Sequence, residues 1–130
     1  MLDIAIIGAG PGGLMTALRL HQQGLRPRIY EAVAELKPLG VGIDVKVYAT
    51  KELDELGLLE EFREISVDAQ ESLFFNNHGQ EIYAELCGVH MGYLYEQRFV
   101  HRGYFQMFLY EKVLERLGQD AVVLGTRLIE

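Results

Sequence analysis

Residues 1–14 read MLDIAIIGAGPGGL, and the fold turns on how this stretch is read. Ile4 to Ile7 is a short apolar run rich in branched side chains, as expected of a buried parallel strand. Leu14, Ala17, Leu18 and His21 share one face of a helix, and Gly24 stands where such a helix would stop. Between the two, Gly8-Ala9-Gly10-Pro11-Gly12-Gly13 fits G-x-G-x-x-G. In that setting Gly8 takes a tight turn, Gly10 leaves the backbone open to a phosphate, and Gly13 lets the helix pack close to the strand. The helix N-terminus adds unsatisfied N–H groups and the positive end of its dipole.

A dinucleotide site of this kind also needs a carboxylate about 20 residues on, to hold ribose hydroxyls. Arg28-Ile29-Tyr30-Glu31 reads as a second strand ending in that acid, 18 residues after Gly13. A carboxylate there disfavours a 2′-phosphate, so NADP is not the expected occupant of this first site.

The chain has 130 residues, enough for one domain with a modest core. Its formal net charge of −7 and lack of a basic tract argue against general nucleic-acid binding. An anionic ligand must then be held by local features. No run approaches the length of a membrane span, and the first strand begins almost at Met1, leaving no room for a signal peptide. Cys87 is the single cysteine, so no internal disulfide or thiolate metal cluster can form, and a reduced, cytoplasmic setting is expected. His21, His78, His90 and His101 show no metal-binding spacing, so no metal site is expected.

Downstream, residues 32–44 (AVAELKPLGVGID) form a glycine-containing connection at the carboxyl end of the second strand, where ligands sit in open α/β sheets. From Val45 to Ile65 the pattern is helical, with Leu53, Leu56, Leu59 and Phe62 on one stripe and an interruption at Gly57. Residues 72–75 and 81–84 flank a polar turn and read as a hairpin, the start of a second, antiparallel subdomain. Tyr93, Tyr95 and Phe99 fit the alternating face of a further strand better than an aromatic pocket. Gly103 to Leu117 is a second helix, ended by Gly118, and residues 121–124 return the chain to the parallel sheet, with another strand possible from Arg127. Arg102 stands at the start of that helix, against the dipole by roughly 0.3–1 kcal/mol unless an anion reverses the sign.

The segments GAGPGGL, IYE, PLGVGIDV, LDELGLLEEF and HRGYFQMFLYEKVLERLG followed by AVVLG together resemble the N-terminal part of the flavin-dependent aromatic hydroxylases, the para-hydroxybenzoate hydroxylase-like FAD monooxygenases, closest to their salicylate hydroxylase and phenazine-modifying branches. The resemblance covers nearly the whole chain and is weakest through 66–99. It implies an α/β, Rossmann-like FAD/NAD(P)-binding domain, incomplete here, over 1–70 and 100–130, with 71–99 beginning the antiparallel, β-rich substrate domain. It implies FAD as cofactor, with Gly8, Gly10, Pro11, Gly12 and Gly13 at the pyrophosphate, and Glu31 and Ala32 at the adenosine ribose. Val41, Gly42 and Asp44 would lie toward the flavin, Arg102 and Gln106 at the pyrophosphate, and Leu128 at the adenine. NAD(P)H would reduce the flavin, and a small aromatic substrate would be hydroxylated.

Two departures accompany the resemblance. Many relatives carry arginine after the ribose-binding acid, where this chain has Ala32. The later Asp-Gly and Gly-Asp motifs are absent, so the chain looks like the front third of such an enzyme. It is expected to leave an unpaired sheet edge, to self-associate, and not to hydroxylate on its own. No catalytic residue is identifiable. An NAD-linked dehydrogenase domain and a non-catalytic remnant are the alternatives.

Overall fold

The computed structural model describes residues 2–129. In chain order the elements are β1 (Ala5–Ile7), α1 (Pro11–Gln22), β2 (Arg28–Tyr30), β3 (Gly42–Val45), α2 (Val47–Glu55), α3 (Leu59–Glu64), β4 (Ser66–Asp68), β5 (Glu71–Phe75), β6 (Glu81–Leu86), β7 (Arg98–His101), α4 (Arg102–Leu117) and β8 (Val122–Val123). Two compact units result, one holding the chain up to Val41 and from Arg102 onward, the other Gly42–His101.

The first unit is a βαβ start with a helical return. β1 pairs parallel with β2, and β2 pairs parallel with β8, giving the order β1-β2-β8. That order is half of the doubly wound dinucleotide-binding sheet. α1 packs against β1, β2 and α4. Leu14, Ala17 and Leu18 of α1, Ile29 of β2, and Phe105, Leu109 and Val113 of α4 are buried, each large one contributing about 1.5–3 kcal/mol of transfer free energy.

One expectation is corrected here. The run Ile4 to Ile7 is not buried: Ile4 and Ile6 are half-buried, Ala5 is exposed and Ile7 is 53% exposed, because α1 covers only one face of a strand whose side chains alternate. The expected return to the parallel sheet does occur, through a 3-10 turn at Gln119–Ala121 and the two-residue β8. No strand forms over residues 127–129.

The second unit contains the antiparallel sheet β3-β7-β4 and the separate hairpin β5-β6. The helical stretch expected over 45–65 is two helices, broken where Gly57 takes φ +70°. Leu53, Leu56, Leu59 and Phe62 are buried as their spacing predicts. Arg98 is buried and spends its donors on Ser66 Oγ (2.7 Å), the Ser66 carbonyl (2.9 Å), the Arg63 carbonyl and the Glu96 carboxylate, which fixes β7 against β4. Thr50, also buried, donates its hydroxyl to the Glu96 carbonyl at 2.7 Å.

Residues 86–99 differ from expectation. Of Tyr93, Tyr95 and Phe99, Phe99 alone lies in a strand, because a 3-10 turn over Gly88–Met91 and a left-handed Gly92 (φ +97°) delay β7 until Arg98. Tyr95 donates its hydroxyl to Asp54 at 2.9 Å, and Tyr93 lines a hollow of about 330 Å³ with Lys46, Tyr48, Cys87, Met91 and Gln97. The second compact unit takes in residues 42–70 together with the hairpin. No helix among the described residues is long and apolar enough to cross a membrane.

Candidate functional site

The candidate site is the glycine loop of the first unit. Gly8 takes φ +99°, a region other residues avoid, and its N–H donates to the Tyr30 carbonyl at 2.8 Å. Gly10 is the N-cap of α1 and offers no side-chain cap; Pro11 opens the first turn, which carries no acidic residue. The first intrahelical bond runs from the Leu14 N–H to the Gly10 carbonyl, so the Gly12 and Gly13 N–H groups have no intrahelical acceptor. Those amides and the helix dipole present a positive, uncapped end to an anion.

The three other glycines of the loop differ in what they require. A Cβ on Gly13 would stand 2.1 Å from the Gly8 carbonyl oxygen and 3.3 Å from Ile6 Cγ2, so only glycine permits this approach of helix to strand. A Cβ on Gly10 or Gly12 would meet nothing within 4 Å. Open space above the loop amides is what a phosphate group needs.

Glu31 follows β2 and turns its carboxylate back on the loop. Oε2 accepts the Ala9 N–H at 2.7 Å, and Oε1 accepts the Val33 N–H at 3.0 Å. These N–H groups, Ala9 foremost, then Val33, hold the carboxyl below the usual carboxylate range against an opposing effect of burial. The Ala32 N–H adds a smaller contribution, so of about four lone-pair sites on an ionised carboxylate roughly one remains for a hydroxyl donor. Ala32 is exposed beside it and brings no charge.

The start of α4 closes the other side of the loop. Gln106 donates Nε2–H to the Ala9 carbonyl at 2.7 Å. Arg102, one turn earlier on the same face, is exposed and forms no ion pair among the described residues. Its backbone N–H donates to Val41 at 2.9 Å. A Cβ on Gly103 would stand 2.3 Å from the Pro38 carbonyl carbon, so the backbone of 38–39 lies directly on the helix start. The first unit thus brings together Gly8, Gly10, Pro11, Gly12, Gly13, Glu31, Ala32, Val41, Arg102 and Gln106.

Leu128 belongs to the same unit but lies on the other flank of the sheet. It is 63% exposed and borders a hollow of about 290 Å³ with Ile7, Tyr30 and Ile129. Gly42 and Asp44 fall in the second unit, where Asp44 Oδ2 takes Lys46 Nζ at 2.6 Å and Gln97 Nε2–H at 2.8 Å. A cavity of about 460 Å³ beside Asp3, Arg26 and Arg28 sits at the N-terminal ends of β1 and β2, away from the loop. Sequence reasoning missed Ala9 and the steric demand at Gly103. A glycine directly inside a helix start is the signal that could have revealed the second.

A family model described as FAD binding domain matches residues 1–107. A phenazine 1,6-dicarboxylic acid hydroxylase of Lysobacter antibioticus is 42% identical over 127 residues, covering 97% of this chain and 31% of the relative. A 3-hydroxybenzoate 6-hydroxylase of Aquipseudomonas alcaligenes is 31% identical over 115 residues, covering 84% of this chain and 28% of the relative. The solved p-nitrophenol 4-monooxygenase of Pseudomonas putida superposes with a TM-score of 0.81 at 19% identity over 96% of this chain and 32% of its own, a likeness of fold. The chain spans about a third of the length of these relatives. It belongs to the FAD binding domain family.

Proposed function

We propose that this chain is the FAD-binding portion of an NAD(P)H-dependent monooxygenase that hydroxylates small aromatic compounds. The observation that carries the reading is the uncapped, acid-free N-terminus of α1, set beside an α4 whose Arg102 has no ion-pair partner among the described residues. An anion is the group that satisfies both. Family membership and the hydroxylase relatives support FAD as the ligand and an aromatic ring as the substrate class.

In this reading Gly8, Gly10, Pro11, Gly12 and Gly13 form the pyrophosphate cradle, and Arg102 adds charge to it. Glu31 keeps acceptor capacity for a ribose hydroxyl, and Ala32 lies beside that ribose. Leu128 offers an apolar border to the adenine. The assignment of Val41, Gly42 and Asp44 to the flavin end rests on the family resemblance alone. Bound FAD supplies the redox chemistry, with NAD(P)H as reductant; the residues here bind and orient it. The first unit is the nucleotide-binding part, and the second, with its antiparallel hairpin, begins the substrate domain. The chain alone is expected not to hydroxylate, and a cytoplasmic setting fits its single buried thiol, Cys87. β1 lies at a sheet edge with no strand paired on its outer side among the described residues, which favours self-association.

Equilibrium titration with FAD and, separately, NAD tests the ligand. Saturable FAD binding that weakens about tenfold or more in Arg102→Ala is expected, since a charge-assisted hydrogen bond is worth about 1.5–3 kcal/mol. Preference for NAD would favour the dehydrogenase reading; affinity for neither, in a folded sample, would refute both.

A further inference from the structure

Within the glycine loop, Ala9 has both of its flanking peptide groups held by distant side chains, and its own side chain is fully buried.

 Ala9 donates its N–H to Glu31 Oε2 at 2.7 Å and accepts Gln106 Nε2–H on its carbonyl at 2.7 Å. The partners lie 22 and 97 residues away along the chain. Only the amide nitrogen of Gln106 can approach a carbonyl, so the side chain's orientation is fixed by its partner.

Each arm of this arrangement is itself anchored. Glu31 is tied by the Val33 N–H on its other oxygen, and its backbone bonds to Val123 and Thr126 at 2.9 and 2.8 Å. Gln106 sits on α4, whose neighbouring residues Phe105 and Leu109 are buried. The loop is therefore held from two independently fixed elements, and these bonds need no ligand.

We infer that Glu31 and Gln106 act together as a clamp on Ala9 that sets the glycine loop before any nucleotide arrives. Gln106 is then a positioning residue, with its amide committed to the loop backbone. Holding both peptide groups of Ala9 fixes its φ and ψ, and so the direction of the amides that follow. A loop already in its binding geometry loses less conformational entropy on binding, which appears as affinity. What the loop binds rests on the FAD reading above; the clamp does not.

Amide hydrogen exchange of the full, ligand-free chain tests it, using Gln106→Met, which keeps length but removes the donor, and Gln106→Lys, which restores one. The Ala9 N–H is held by Glu31 and its carbonyl by Gln106, so if the two open as one clamp, losing the neutral carbonyl bond predicts roughly fivefold faster exchange of the Ala9 N–H in the Met variant. The Lys variant returns toward the wild-type rate, and the α4 amides of Leu109 and Val113 stay protected in both. FAD affinity falls with the Met variant and recovers with Lys. Wild-type exchange at Ala9 in Gln106→Met overturns the clamp; if FAD affinity still falls, Gln106 touches the cofactor instead. Should Gln106→Met loosen α4 as a whole, Gln106→Lys decides: retained Ala9 protection supports the clamp, and its loss with α4 intact overturns it. Failure of the wild-type chain to bind FAD refutes the ligand and leaves the exchange result standing.

Discussion

Gly13→Ala is the sharpest steric test of the loop. The added Cβ would start 2.1 Å from the Gly8 carbonyl oxygen, and ordinary contact begins near 3.4 Å. α1 must therefore withdraw from β1 by about 1.3 Å, or Gly8 must abandon its bond to Tyr30. Overpacking of this kind costs about 1–3 kcal/mol. Alanine's better helix propensity returns at most about 1 kcal/mol. The net expectation is a loss of about 1–2 kcal/mol. Gly12→Ala is the control, because its Cβ meets nothing within 4 Å and the propensity gain stands alone. Urea unfolding followed by far-UV circular dichroism reads the difference, with slopes of about 1–3 kcal/mol per molar for a small protein. Gly13→Ala should fall by roughly 0.5–1 M in midpoint, while Gly12→Ala holds or rises. A Gly13→Ala midpoint at or above that of Gly12→Ala would refute the close helix–strand approach.

Other consequences are as direct. Gly103→Ala would place a Cβ 2.3 Å from the Pro38 backbone, so the 38–40 segment should shift, visible as faster amide exchange at Leu39 and at Arg102. The Glu31 carboxyl is held below its ordinary range, so its contribution to stability is complete above the unfolded-state value and is lost as pH falls through the lower folded value. Glu31→Gln should therefore flatten the dependence of urea midpoint on pH between about pH 6 and pH 3, and an unchanged slope would contradict that role. Arg98→Met removes the buried donor to Ser66, the Arg63 carbonyl and Glu96, which keeps its pair with Arg63, and should cost about 1.5–3 kcal/mol. Arg102→Ala, at an exposed position, should change stability by less than about 0.5 kcal/mol in the same melts.

The βαβ start was legible because local signals agreed: branched residues in β1, glycines with distinct duties, and a helical stripe at Leu14, Ala17 and Leu18. α4 was legible for the same reason. β3 was not, since Ile43 and Val45 alternate with Gly42 and Asp44 over only four residues at the end of a glycine-containing connection; its pairing with β7, more than 50 residues away, completes the strand. Tyr93 and Tyr95 suggested a strand by their spacing, but Gly92 in the left-handed region turned the chain first. Within the site, the glycines and Glu31 could be placed from spacing. The bond from Gln106 to Ala9 could not, because nothing in either residue's neighbourhood announces a partner 97 positions away.

The visible absorption spectrum of the purified chain, taken before and after adding FAD and removing the excess by gel filtration, tests the central claim most directly. The account predicts flavin bands that travel with the protein and are lost or sharply reduced in Arg102→Ala. A folded, colourless chain that releases all added FAD would contradict it.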